Sequence, residues 1–190
     1  MARAGLSGAR LAQAGAELAD EVGFEQVTVS ALARHFSVQV ASLYSHVRNS
    51  DDLKARIATV ALTELADQAA AALAGRAGRD ALHALADVYR DYARTHPGRY
   101  TATRHTAAAS VLGEQYVDAG RRHSELVRAV LRGYDLGEPA QTDAVRLLGS
   151  TIHGYITLEL AGSFSHSEPS ASDSWPRIID ALDTLLRSWS

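Results

Sequence analysis

Apolar side chains recur every three to four positions along nearly the whole chain, with almost none of the alternation that marks a half-buried strand. From about Ser7 to Val22, Leu11, Ala14, Leu18 and Val22 share one helical face, and Gly23 is a natural stop. Thr28 then stands where an N-cap belongs, with Val27 before it, and opens a short helix through His35. After Phe36-Ser37-Val38 a second short helix fits Gln39 to His46. Asn49 or Ser50 caps a much longer helix carrying Leu53, Ile57, Val60, Ala61 and Leu65, which fades near Gly75 and Gly78.

The pattern resumes over about Arg79 to His96, where Leu82, Leu85, Tyr89, Tyr92 and His96 form one stripe that Pro97-Gly98 ends. A short irregular or helical piece, Arg99 to Ala109, leads to a helix from about Val111 to Tyr134. Pro139 falls in the first turn of a helix reaching about Ala161. Residues 162–174 are rich in Ser and Gly and read as a loop; Ile178, Leu182, Leu185, Leu186 and Trp189 are then in register on a last helix, about Trp175 to Trp189. The prediction is an all-α fold of about nine helices without internal repeats.

Composition narrows the picture. With 190 residues, 46% hydrophobic and 22% charged, the chain is long enough for a real core and too apolar for wholesale disorder. The absence of Cys excludes disulfides, thiolate metal sites and a cysteine nucleophile. No apolar run approaches the roughly 20 residues of a membrane span, so a soluble, cytoplasmic protein without membrane contact is expected. The net charge of −3 is unevenly spread: residues 26–50 contain Arg34, Arg48, His35 and His46 and no acid, whereas Ile57 onward holds 13 basic and 16 acidic residues. A local anion-binding face and chance spacing both account for this.

Two short helices joined by three residues can cross steeply, so that the second lies in a DNA major groove while the first braces it. Leu32, Phe36, Val38, Leu43 and Val47 fit a core against Leu18 and Val22, which leaves Gln39, Val40, Ala41, Ser42, Tyr44 and Ser45 towards solvent. Small and hydroxylic side chains suit phosphates and thymine methyl groups. A plain helical hairpin has the same spacing.

The stretch from Thr28 to Leu53, with its Leu43-Tyr44-x-His46-Val47 core, and the preceding Glu17-Leu18 and Gly23-Phe24, resembles the DNA-binding domain of the tetracycline-repressor (TetR) family over residues 7–54. The resemblance implies a homodimeric one-component regulator: a helix-turn-helix head, residues 1–54, and a helical effector-binding and dimerising body, residues 55–190. It assigns Thr28, Ser42 and Tyr44 to phosphates, and Gln39, Val40, Ala41 and Ser45 to base edges. His46 ends the recognition helix near the DNA backbone. Ser37 replaces a frequent glycine at the turn, and Ser50 replaces a frequent lysine, so one phosphate contact is lost or passes to Arg48 or Lys54. Tyr92 to Tyr100, with Ile152-His153-Gly154-Tyr155 and Leu158-Glu159, resembles one C-terminal subclass of the family.

The expected partners are a double-stranded, near-palindromic operator, a second copy of the chain and a small-molecule effector that releases a repressor. Candidate effector contacts are Tyr89, Tyr92, His96, Tyr100, Tyr116, His123 and His153, polar groups on apolar stripes that equally suit a satisfied core. The dimer is expected across the last two long helices, through the small face Ser150, Gly154, Thr157 and Ala161 and the ridge Ile178, Leu182, Leu185, Leu186 and Trp189. His96, His105 and His123 lack metal-ligand spacing, no G-x-S-x-G elbow exists, and neither cofactor nor catalysis is expected. The alternative is a helical ligand-binding protein with a vestigial hairpin. A nucleoid protein fits poorly with so large and acidic a body.

Overall fold

Helices begin where the chain supplies caps. Ser7 Oγ accepts the Arg10 N–H at 3.2 Å and opens α1 (Gly8–Val22), which ends at Gly23, φ 90°. Thr28 Oγ1 accepts from Ala31 N–H at 3.0 Å and opens α2 (Val29–His35). The end of α2 is a Schellman arrangement: Val38 N–H donates to Ala33 O and Ser37 N–H to Arg34 O. It forces Ser37 to φ 54°, a left-handed conformation that costs a non-glycine residue about 1–2 kcal/mol. The turn therefore forms without glycine, at that strain.

The second helix of the hairpin is shorter than its pattern suggests. α3 spans Val40–Leu43, and residues 44–46 are turn. Leu43 O accepts from both His46 and Val47 N–H, and Ser45 Oγ–H donates to Ser42 O, so serine chemistry tightens and ends the helix. α4 (Ser50–Leu73) follows, capped by Asn49, whose Oδ1 accepts the Asp52 N–H at 2.8 Å.

The structure, a computed structural model, describes residues 5–106 and 113–189. The remaining helices are α5 (Gly78–Thr95), α6 (Pro97–Ala102), α7 (Glu114–Leu131), α8 (Glu138–Leu160) and α9 (Ala171–Ser188). Nine α-helices and two single-turn 3-10 helices account for the described secondary structure, with no strand among the described residues. α5 ends just before Pro97, and Pro97 itself starts α6, since N1 asks for no N–H. The expected start near Val111 lies outside the described residues. α9 begins four residues before Trp175, because Ser170 caps it by accepting Asp173 N–H at 3.1 Å.

The chain forms two compact units. The first contains the described residues up to Glu64 and those of Thr95–Arg121. Leu11, Leu32, Leu43, Leu53 and Ile57, all 0% exposed, form its core, each burial contributing about 2 kcal/mol. α6 belongs to it because Gly98 lies against the Ala19 carbonyl of α1, and because Asp20 accepts Arg99 N–H at 2.9 Å and faces His96 Nδ1 at 3.0 Å. Val22 does not join this core: at the end of α1 it is 48% exposed and, with Leu18, Ala31 and Arg34, lines an open groove of about 520 Å³.

The second unit contains Leu65–Arg94 and the described residues of Arg122–Ser190. Leu82, Leu85, Leu131, Leu148, Ile179 and Leu186 are buried in it. Tyr134 Oη–H donates to the buried Asp183 at 2.8 Å, and Arg187 Nε–H reaches the same carboxylate at 2.9 Å, fastening the end of α9.

Candidate nucleic-acid interface

The hairpin presents its polar and small side chains outward. Thr28, Gln39, Val40, Ala41, Ser42, Tyr44 and Ser45 are all exposed, Tyr44 at 53%, while Leu43 and Val47 between them are buried. The alternation follows from α3: Leu43 on one side joins the core with Leu32 and Ile57, and the side chains on the other are exposed among the described residues. Thr28 uses a lone pair of its hydroxyl for the cap, which leaves the O–H proton available to a phosphate oxygen. His46 is half-buried at the end of the turn.

Fixed charges flank this face. Asp52, buried in the first turn of α4, accepts from Arg48 N–H at 3.0 Å, from the Arg48 guanidinium at 2.9 Å and from Arg56 Nε–H at 3.0 Å. Burial works to raise its pKa, but the hydrogen bonds from Arg48 and Arg56 outweigh it and hold the carboxyl below its ordinary value. The clamp orients Arg48, whose side chain remains 64% exposed. Lys54 is held differently: its ammonium pairs with Glu25 and lies 5.2 Å from the centre of the Phe24 ring. Arg10 projects over Phe36 at 5.3 Å. The Asp52 clamp escaped the sequence reading, although Asn49-x-x-Asp52 carries the spacing of a capping box.

Three of the seven candidate effector residues come together within one unit. Tyr89 on α5, His123 on α7 and His153 on α8 meet in the second unit. The Tyr89 hydroxyl is 2.7 Å from His123 Nδ1, and its ring meets both imidazoles edge-on at 5.9 and 5.6 Å. Burial pushes the Tyr89 phenol above its ordinary range, which keeps it a neutral hydroxyl. Tyr92 is also buried in that unit. His96, Tyr100 and Tyr116 belong to the first unit, where His96 faces Asp20 and the Tyr116 hydroxyl donates to His105 O. The equal spacing that put His96 on a stripe with Tyr89 is broken by the turn before Pro97.

The expected dimer residues also separate. Ser150, Gly154 and Thr157 on α8 and Ala161 just beyond its end are exposed, and a Cβ added at Gly154 would meet nothing. Leu185 is 46% exposed, Ile178 and Trp189 are half-buried, and Leu158 and Leu160 add uncovered apolar surface. Leu182 and Leu186 instead face the unit's own interior and are buried within this chain, so they leave the ridge. Among the described residues, no three potential ligands come together to hold a metal ion, and no helix is long and apolar enough to cross a membrane.

An all-α chain with an exposed, acid-free second hairpin helix ahead of a larger helical body has the architecture of a helix-turn-helix regulator. A family model described as tetracyclin repressor-like, C-terminal domain, matches residues 82–182. An uncharacterized HTH-type transcriptional regulator of Bacillus subtilis, YobS, is 32% identical over 98% of this chain and 92% of its own length. A second such regulator, from Mycobacterium tuberculosis, is 35% identical over 75% of this chain, and the match spans 65% of that relative. Among solved structures, BioQ of Mycobacterium smegmatis superposes with a TM-score of 0.71 at 18% identity, over 98% of this chain and 100% of its own. A TetR variant of Acinetobacter baumannii in complex with minocycline does so at 0.70 and 20%, over 98% and 99%. BioQ with its double-stranded DNA operator gives 0.66 and 21%, over 94% and 99%. The chain belongs to the tetracycline-repressor family of transcriptional regulators.

Proposed function

We propose that the protein is a homodimeric repressor that holds a near-palindromic operator through its hairpins and leaves it when a small molecule binds the body. One observation carries the DNA part: Thr28, Gln39 to Ser42, Tyr44 and Ser45 are exposed and free of acidic groups, with a fully buried Leu43 behind the α3 residues. A rigid backing with outward hydroxyls is what positioning on phosphates needs. BioQ, a neighbour in fold, has been solved with its operator. Tyr44→Phe removes one exposed phosphate donor and is expected to weaken binding about tenfold, the order of one hydrogen bond to a charged group. The loss should be equal on operator and random duplex in fluorescence anisotropy. A loss confined to one sequence would make Tyr44 a base reader. No binding by the wild-type chain at low salt would leave the vestigial hairpin as the reading.

The dimer is supported by the uncovered small face on α8 and the apolar side chains Leu158, Leu160 and Leu185 around it. The effector reading is supported by Tyr89, His123 and His153, a phenol and two imidazoles converging from three helices. α4 is the coupling element, since its first turn carries the Asp52 clamp and its later turns belong to the second unit. An effector that prefers one setting of α4 changes the separation of the two hairpins. Coupling of roughly 1–3 kcal/mol gives about a 5–150-fold loss of operator affinity. A ligand found by raised melting temperature should bind more weakly once operator is present. Equal affinities would reduce the body to a dimerisation module.

A further inference from the structure

The exposed face of the hairpin also says which bases it reads, given that it binds DNA as proposed above. From Gln39 to Ser45 there is no charged side chain. Gln39 occupies the N-cap position of α3 but makes no capping hydrogen bond, so its exposed carboxamide retains both a donor and an acceptor. The next two residues, Val40 and Ala41, expose only methyl groups, Val40 at 36%. The Ser45 hydroxyl proton is already donated to Ser42 O. Guanine is read in the major groove by Arg or Lys on O6 and N7, and cytosine by a carboxylate on N4. This face carries none of these. The flanking cations serve elsewhere: Arg48 is drawn to Asp52, Lys54 to Glu25, and Arg34 stands on the bracing helix α2.

We infer that each half-site has an A·T core, in which Gln39 reads one adenine through N6 and N7 while Val40 and Ala41 pack on the 5-methyl groups of neighbouring thymines. A carboxamide is complementary to the adenine edge, and an aliphatic side chain is complementary to the one methyl group the groove displays. Specificity then comes from van der Waals contact as much as from hydrogen bonds.

The test uses the full-length chain and duplexes selected from random DNA. The selected half-sites should share a run of A·T pairs. Replacing single thymines in that run by deoxyuridine keeps the pairing and removes only the methyl. At the contacted positions affinity should fall about fourfold, the transfer value of one methyl group. Val40→Ala should shrink that penalty at one position and leave it at others, the coupling expected of a direct contact. Gln39→Ala should relax preference at a single A·T pair by about tenfold. Because Gln39 and Val40 are exposed, unchanged melting temperatures should certify both variants as folded. Tight, selective binding to a G·C-centred half-site would overturn the inference and leave the DNA-binding reading standing, as would indifference to every deoxyuridine. Failure to enrich any sequence, with no binding at low salt, would remove both.

Discussion

Gly98→Ala should unfold the junction of α1 and α6 while leaving the composition of the chain almost unchanged. A Cβ at this position would lie 1.9 Å from the Ala19 carbonyl oxygen and 2.6 Å from the Asp20 nitrogen, all backbone atoms that cannot rotate away. The two helices would have to separate by more than an ångström. Separation would draw Asp20 from Arg99 N–H and His96, and strain the pairing of Arg99 with Glu64 on α4 at 3.1 Å. Overpacking of this kind costs roughly 1–3 kcal/mol, and a lost hydrogen bond to a carboxylate adds about 1.5–3 kcal/mol. The better helix propensity of alanine returns at most about 1 kcal/mol. A net loss of about 3 kcal/mol is expected in urea unfolding, with weaker DNA binding because α1 supports the hairpin. Gly120→Ala on α7, where an added Cβ meets nothing, is the matched control and should be neutral or slightly stabilising. Equal behaviour of the two variants would show that α6 does not press on α1.

That contact could not be read from the sequence, and the reason is physical. Caps are local: Ser7, Gly23, Thr28 and Pro139 act within four residues, so a linear pattern reveals them. The hairpin surface is local too, because Leu43 turns inward by helical geometry and Val47 by the turn that follows, which leaves Gln39 to Ser42, Tyr44 and Ser45 outside. Asp20 and Arg99 are far apart in the chain, and nothing near either residue names its partner. Periodicity is also blind to how a stripe ends. Tyr89, Tyr92 and His96 read as one face, yet the break before Pro97 gives His96 to the first unit and leaves Tyr89 with His123. Leu182 and Leu186 read as one stripe with Leu185, but the buried line of α9 runs through Trp175, Ile179, Leu182 and Leu186 and leaves Leu185 open beside it. Ser170 was hidden among Ser, Gly and Pro, a composition that reads as loop, although Ser170-x-x-Asp173 has cap spacing.

The second large effect concerns an ion pair that joins three helices of the second unit. Arg90 on α5 donates through Nε to Glu159 Oε2 at 2.8 Å and through Nη2 to Oε1 at 2.5 Å, while Nη2 also reaches Ser172 Oγ on α9 at 3.2 Å. The guanidinium lies 5.3 Å from the Trp175 ring centre, and Trp175 Nε1–H donates to Asp87 at 2.7 Å. Side-chain exposures of 9% and 17% leave little room for water to replace a missing partner. Glu159→Ala is therefore expected to cost about 3–5 kcal/mol, because it strands a buried cation. Exchanging both residues together, Arg90→Met with Glu159→Leu, should cost far less, since no charge is left unpaired. The hydrogen bonds from Arg90 hold the Glu159 carboxyl below its ordinary pKa of 4.5, with burial opposing them. A depressed carboxyl stabilises the folded state fully above that ordinary value and loses the contribution as pH falls through the lower, folded-state value. Urea midpoints measured from pH 7 down to about pH 3 should accordingly fall more steeply for the wild-type chain than for the doubly exchanged one. If Glu159→Ala cost less than about 1 kcal/mol, or the two pH profiles ran parallel, the pair would be an ornament of the surface and α5, α8 and α9 would be held by their apolar faces alone.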